Sequence, residues 1–459
     1  MNRYKKFFNL LNLSLIGIVL ATSGFGCKAP SVDVTNAMQP ITLEYWRSYD
    51  DSDAFADIIT DYRKIHPNIT INYRKFRPEE YQQALLDAWA EDRGPDIFSV
   101  DQNLLRQYVS KIQPMPAQIT MAYQEEQGTI KKEIVSVLHT NTTPSLRQIK
   151  DSFFDVVYKN SVIDGQVYGL PLALETLVMF YNKDIINRSG ISQIPVTWAD
   201  FQTAVKKISR FDSQGNILQS GTAMGTGSNV DRAFDILSVL MMQNGAIMAS
   251  ADGFPTFANK ISANNKDTSP GLQAMQFYID FASPEKDVYS WNASSTSAGN
   301  AFTSGNVGFT FGYNHSLASI RAQSPRLNFG IAPIPQVSPD NSKNYASYWL
   351  ETVAKKSKHP NEAWDFVLFT VKQEEAKKYL DKTGLPTALK SLVSSQLESE
   401  DLYASVSQAL TANSWYIGKN YPATVQAIRD MLDQLLKVLP DDFPKVIAIA
   451  IQKINQTIR

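Results

Sequence analysis

A chain of 459 residues, 43% hydrophobic and 19% charged, has ordinary globular make-up with room for two lobes and their own cores, which excludes a disordered chain. Its 44 basic and 45 acidic residues leave a net charge of −1, excluding the clustered basic surface that nucleic acid requires. The single cysteine, Cys27, excludes an intrachain disulfide, a cysteine-built zinc site and an iron–sulfur cluster within one copy.

The first segment has the layout of an export signal, with positive residues Arg3, Lys5 and Lys6 ahead of an apolar stretch over 7–20. That stretch is interrupted by Asn9 and Asn12 and falls short of the ~20 apolar residues a spanning helix needs. Residues 1–26 are therefore expected to be a signal peptide. A lone thiol directly after it resembles the bacterial lipoprotein signal, in which the cysteine is lipidated and becomes the new N-terminus. Gly26 fits that pattern, whereas Gly24 and Phe25 depart from it. The alternative is a plain cleaved signal with an incidental free thiol. Residues 27–39 are polar, small and without apolar periodicity, and predict a flexible tether.

Ile41, Leu43 and Tyr45 alternate with polar residues as a half-buried strand does. Phe55, Ile58, Ile59, Tyr62 and Ile65 recur at helical spacing, and Pro67 stops that helix. A second strand over 69–73, a helix over 79–91 and a short apolar strand over 97–100 complete a β-α-β-α-β order, which indicates the α/β class. Sheets of this kind bind ligands outside the carboxyl ends of their strands, here 46–50 and 101–103. Residues 113–159 read as helical and irregular. Asp164-Gly165 marks a turn between short strands, 173–181 a buried strand with Glu175 as its one charge, and Thr197 caps a helix that buries Trp198, Phe201, Val205 and Ile208. A second cycle of strands and helices runs to Pro335.

Four stretches, in order, resemble the extracellular solute-binding proteins of ABC importers, in the group that includes maltose-binding protein. They are 94–98 (Gly-Pro-Asp-Ile-Phe); 164–182 with 195–198; 301–309 leading to 329–335; and 355–366 followed by 383–386. The resemblance implies a two-lobed periplasmic-binding-protein fold with a ligand cleft between lobes joined by a multi-segment hinge. It places 40–172 and 336–387 in the N-terminal lobe and 173–335 and 388–459 in the C-terminal lobe. The chain is expected to be a monomer without cofactor or metal, and the lipoprotein-like signal implies that it is held to the membrane through Cys27 at the outer cell face or in the periplasm. Such a receptor hands a sugar-like ligand to ABC importer permease subunits by hinge closure.

A sugar offers hydroxyls at its rim and apolar faces, so its site needs flat rings with a few fixed donors and acceptors. Trp46 and Tyr49 follow the first strand, and Asp101 follows the third, each with a structural alternative: core for Trp46, helix cap for Asp101. Glu175 matches a ligand-contacting acid of the maltose-binding branch. Tyr313 and Asn314 follow the strand 307–311, Trp349 lies on the chain's return to the first lobe, and Trp415-Tyr416 precedes the C-terminal helices. For each ring the alternative is packing in a core. Arg47 and Asp50 are expected to be solvated. Three readings compete with a sugar receptor. A secreted carbohydrate-active enzyme would need two carboxylates flanking a bond, yet no hydrolase motif surrounds Asp101 or Glu175, and His66, His139, His315 and His359 are scattered. The others are a receptor for a polyamine or other non-sugar solute, and an adhesion lipoprotein.

Overall fold

The computed structural model describes residues 32–129, 132–263 and 266–458. The expected signal peptide and Cys27 lie outside the described residues. Strand Ile41–Ser48 pairs in parallel with Ile69–Phe76 and with Ile97–Asp101. Trp349–Ala354 returns antiparallel to Ile97–Asp101, and Ile112–Gln113 closes a five-stranded sheet. Helix Asp53–Ile65 turns Phe55, Ile58 and Tyr62 onto this sheet, the stripe that its spacing dictates. Leu43, Phe55, Ile97, Phe98 and Trp364 form the heart of the first core.

The second sheet runs Arg210–Phe211, Ile217–Thr222, Val307–Gly312, Val178–Asn182, Phe329–Pro333. Val178–Asn182 is antiparallel to both neighbours, while Ile217–Thr222 and Val307–Gly312 are parallel. Thr197 caps helix Trp198–Ile208 through the N–H of Asp200, and that helix buries Trp198, Phe201, Val205 and Ile208 as expected. A second core gathers these residues with Phe234, Phe309, Trp415 and Leu432.

The chain passes between the two cores in a small three-stranded sheet, order Ala412–Asn413, Asn344–Ser347, Glu175–Thr176. The sequence places the crossings near residues 172, 336 and 387. The structure moves all three later along the chain: Leu174 still belongs to the first core, Tyr345 to the second, and Leu389 and Leu392 to the first before Ala404 joins the second. Helix Glu400–Gln408 braces the junction. Ser405 Oγ accepts from the Thr176 N–H at 2.9 Å, and the Gln408 amide donates to the Leu177 carbonyl at 3.2 Å.

Two further expectations are corrected. Within 113–159, Gln118–Gln127 and Glu133–Thr142 form an antiparallel ribbon with ten residues in each strand, followed by helices Leu146–Ser152 and Asp155–Ser161. Only the inner half of the ribbon is packed, through Ile119, Met121 and Ala122. Its outer half meets water on both faces, so the alternation that announces a strand is missing. Within the expected tether, Val32–Ala37 is helical and lies on the ribbon, burying Val34. No described helix is long and apolar enough to cross a membrane.

Candidate functional site

Strand Ile97–Asp101 ends in a carboxylate because Asp101 must stop the sheet and start a turn. Its Oδ1 accepts the Asn103 N–H at 2.8 Å, the capping role weighed from sequence. Burial, with the nearby Asp235 carboxylate, pushes the Asp101 carboxyl up from 3.8 to about 6, against the pull of its cap bonds and Arg232. Asp101 belongs to the first lobe, and Arg232 and Asp235 to the second. Their mutual influence brings charged groups of the two lobes close to one another where the lobes face.

Around them stand groups from several segments. Tyr49 follows the first strand in the left-handed region, φ 79°, which costs a non-glycine residue about 1 kcal/mol or more and marks a constrained site. Its ring is 53% exposed and meets the Trp349 ring edge-on at 5.6 Å. Trp349 pairs with Asp101 across the sheet, so one ladder rung carries both a ring and a carboxylate. From the second lobe, Arg232 precedes helix Ala233–Gln243 and Asp235 lies in its first turn. The Arg232 guanidinium lies 4.9 Å over the Tyr313 ring and 4.0 Å from Asp235. Burial works against the Arg232 charge, but Asp235, Tyr313, Tyr421 and Glu175 outweigh it and raise its pKa. Burial likewise raises Asp235, opposed by Arg232 and by the Tyr313 hydroxyl that donates to it at 3.0 Å. Tyr345, on the middle crossing strand, feels both Asp235 and Asp101.

The structure thus brings Tyr49, Asp101 and Trp349 together and takes most other expected contacts elsewhere. Trp46 is 8% exposed and packs on Phe76 at 4.6 Å, the core alternative. Tyr313 is fully buried, under Arg232. Asn314 is buried and donates to the Asp401 carbonyl at 2.6 Å. Trp415 donates to Ser238 Oγ at 2.9 Å and stacks on Phe234 at 5.7 Å, inside the second core. Tyr416 is buried, its hydroxyl accepting the Asn420 N–H at 2.8 Å. Glu175 is buried with both oxygens engaged by His315 at 2.7 Å. Arg47, expected in solvent, is buried and paired with Glu351 at 3.2 Å and Asp50 at 2.8 Å.

Sequence reasoning missed Arg232, Asp235, His315 and Tyr345. None sits in a recognisable motif, and only the fold assembles them. No group of three or more metal-ligating side chains occurs among the described residues. A separate depression of about 570 Å³ lies on the first lobe, lined by apolar residues including Ile149, Phe153, Leu170 and Leu368. Asp151, Ser152, Lys372, Gln373 and Ser391 complete its lining.

The raised Asp101 value sets a pH dependence. The folded state binds Asp101's proton more tightly than the unfolded chain, so stability falls as pH climbs from 3.8 to about 6. Asp101→Asn keeps a capping oxygen and abolishes this loss. The variant should match the wild type below pH 3.8 and exceed it above about pH 6, by on the order of 1–3 kcal/mol before solvent screening. Urea unfolding at both extremes reads the difference, and an equal gap at both would refute it.

Residues 57–408 match the family model described as bacterial extracellular solute-binding protein. A Brucella abortus (strain 2308) binding protein is 24% identical over 52% of this chain and 54% of its own length. The chain thus spans about half of that relative. The galactooligosaccharide-binding protein of Bacillus subtilis (strain 168) is 23% identical over 76% of this chain and 73% of its own. Among solved structures, the cyclic α-maltosyl-1,6-maltose binding protein from Arthrobacter globiformis aligns with a TM-score of 0.71. That alignment covers 91% of this chain and 99% of that one at 19% identity, which establishes a shared two-lobed α/β fold. With the family model spanning most of the chain, this protein belongs to the bacterial extracellular solute-binding proteins.

Proposed function

We propose that the protein captures an oligosaccharide in the crevice between its lobes and delivers it to an ABC importer. The observation that carries this reading is an aromatic pair from the first lobe, Tyr49 and Trp349, close to Asp101 and to an ionic pair from the second, Arg232 and Asp235. The rings suit the apolar face of a sugar. Asp101 suits its hydroxyl protons, and Arg232, steadied by Asp235, its oxygens. One guanidinium among these acids argues against a polyamine, whose charge it would repel. The galactooligosaccharide-binding relative and the maltosyl-maltose-binding structure support the same ligand class. Proteins of the matched family bind solutes outside the cell, and catalysis has no support in the crevice, where Asp101 is tied to its cap.

Hinge closure over the sugar, about the three-stranded sheet that joins the cores, completes the reading. Export with a lipid on Cys27 is its remaining part, and sedimentation with membranes that is lost in Cys27→Ser checks that part. The ligand itself is tested by thermal shift with maltodextrins and galactooligosaccharides. A bound sugar at a hundred times its Kd adds about 2.7 kcal/mol and raises the Tm. If no oligosaccharide moves the melt while spermidine does, the reading is wrong.

A further inference from the structure

Glu175 is an acid from the crossing strand Glu175–Thr176, 8% exposed, with little solvent to satisfy it. Its Oε1 accepts the backbone N–H of His315 at 2.7 Å, and its Oε2 lies 2.7 Å from the His315 Nδ1. An ionised carboxylate only accepts, so Nδ1 carries a hydrogen. In the neutral ring Nε2 is then a lone pair. It faces the Arg232 Nη2 at 3.2 Å, a group that only donates. One tautomer satisfies all three contacts, and the acid selects it.

From this geometry we infer that Glu175 is a positioning residue, which through His315 aims the Arg232 guanidinium at the ligand and does not itself hold the sugar. The aim is fixed from three sides. His315 holds one edge, and Tyr313 lies under the guanidinium plane, its ring stacked with that of His315 at 5.8 Å and 19°. Asp235 flanks Nη1 at 4.0 Å. Among the described residues the guanidinium makes no further hydrogen bond, and the side chain is 36% exposed, so part of its planar fork of donors is open to a ligand. Because Glu175 pairs with Ser347 in the joining sheet, the fork is tied to the segment that connects the lobes.

The inference rests on the oligosaccharide reading for its ligand but not for its relay, and the test separates the two. Glu175→Gln keeps the shape of the side chain and the acceptor for the His315 N–H, but it turns an NH₂ toward Nδ1. The ring must then carry its hydrogen on Nε2, a donor facing the donors of Arg232. Nitrogen NMR on the whole chain, which has only four histidines, should show His315 as the Nδ1–H tautomer in the wild type and Nε2–H in Glu175→Gln. Calorimetry with maltotetraose and a galactooligosaccharide should show Glu175→Gln and Arg232→Ala each weakening binding roughly tenfold or more. Arg232→Lys, which keeps charge but loses the fork, should behave like Arg232→Ala. The double variant Glu175→Gln/Arg232→Ala should bind no worse than Arg232→Ala alone. Additive losses make Glu175 a direct ligand contact and overturn the inference, as does an unchanged tautomer in Glu175→Gln. If the wild type binds neither sugar, the oligosaccharide reading falls, and the tautomer decides the relay on its own.

Discussion

Glu351→Leu is expected to destabilise the protein by about 3 kcal/mol, and adding Arg47→Met should restore most of that loss. Arg47 is 4% exposed and Glu351 1%, so both charges sit out of water inside the first lobe. Glu351 Oε2 accepts the Tyr45 hydroxyl at 2.6 Å, and Oε1 pairs with Arg47 Nη1 at 3.2 Å. Arg47 Nη2 reaches Asp50 at 2.8 Å and the Tyr379 hydroxyl at 3.2 Å, while its guanidinium lies over the Phe55 and Tyr379 rings. Removing Glu351 leaves a buried guanidinium with half its compensation and a buried Tyr45 hydroxyl with no acceptor. Removing both charges leaves a gap that apolar side chains fill. Urea midpoints of the single and double variants measure this, and a double variant no better than the single would show that the pair is not the cause.

Trp415→Ala should cost about 3–5 kcal/mol of stability, whereas Trp415→Phe should cost about 1 kcal/mol and leave sugar affinity unchanged. The ring is 7% exposed, stacked on Phe234 and edge-on to Phe257 at 5.9 Å, so alanine opens a cavity in the second core. Phenylalanine keeps most of the stack but loses the Nε1 bond to Ser238 and part of the indole's volume. Thermal melts with calorimetry separate the two roles. A large affinity loss in Trp415→Phe at unchanged stability would return this ring to the ligand.

How far the sequence could be read follows from where each signal resides. Helix Asp53–Ile65 and the capped helix at Thr197 announce themselves locally, because spacing and a cap act within one turn. The strand ends were legible too, and with them the place of Tyr49 and Asp101 beyond the sheet, since topology fixes where parallel strands open. The ribbon did not announce itself, because water bathes both faces of its outer half. Rings were the hardest to place. Trp349 and Trp415 have the same chemistry, and only Phe234, remote in sequence, draws one into a core. Arg47 shows the same limit for charge, since Glu351, its buried partner, comes from a distant strand. Arg232 caps, and Asp235 lies in the first turn of, a largely apolar helix, and both gain their meaning only from Asp101 of the other lobe.

Hydrogen exchange with and without bound oligosaccharide tests the crevice most directly. New protection is expected in 101–104, 232–236, 313–316 and 344–349, drawn from both lobes and the strand between them. Protection confined to 144–153 and 368–373, around the depression on the first lobe, would place the ligand elsewhere and contradict the account.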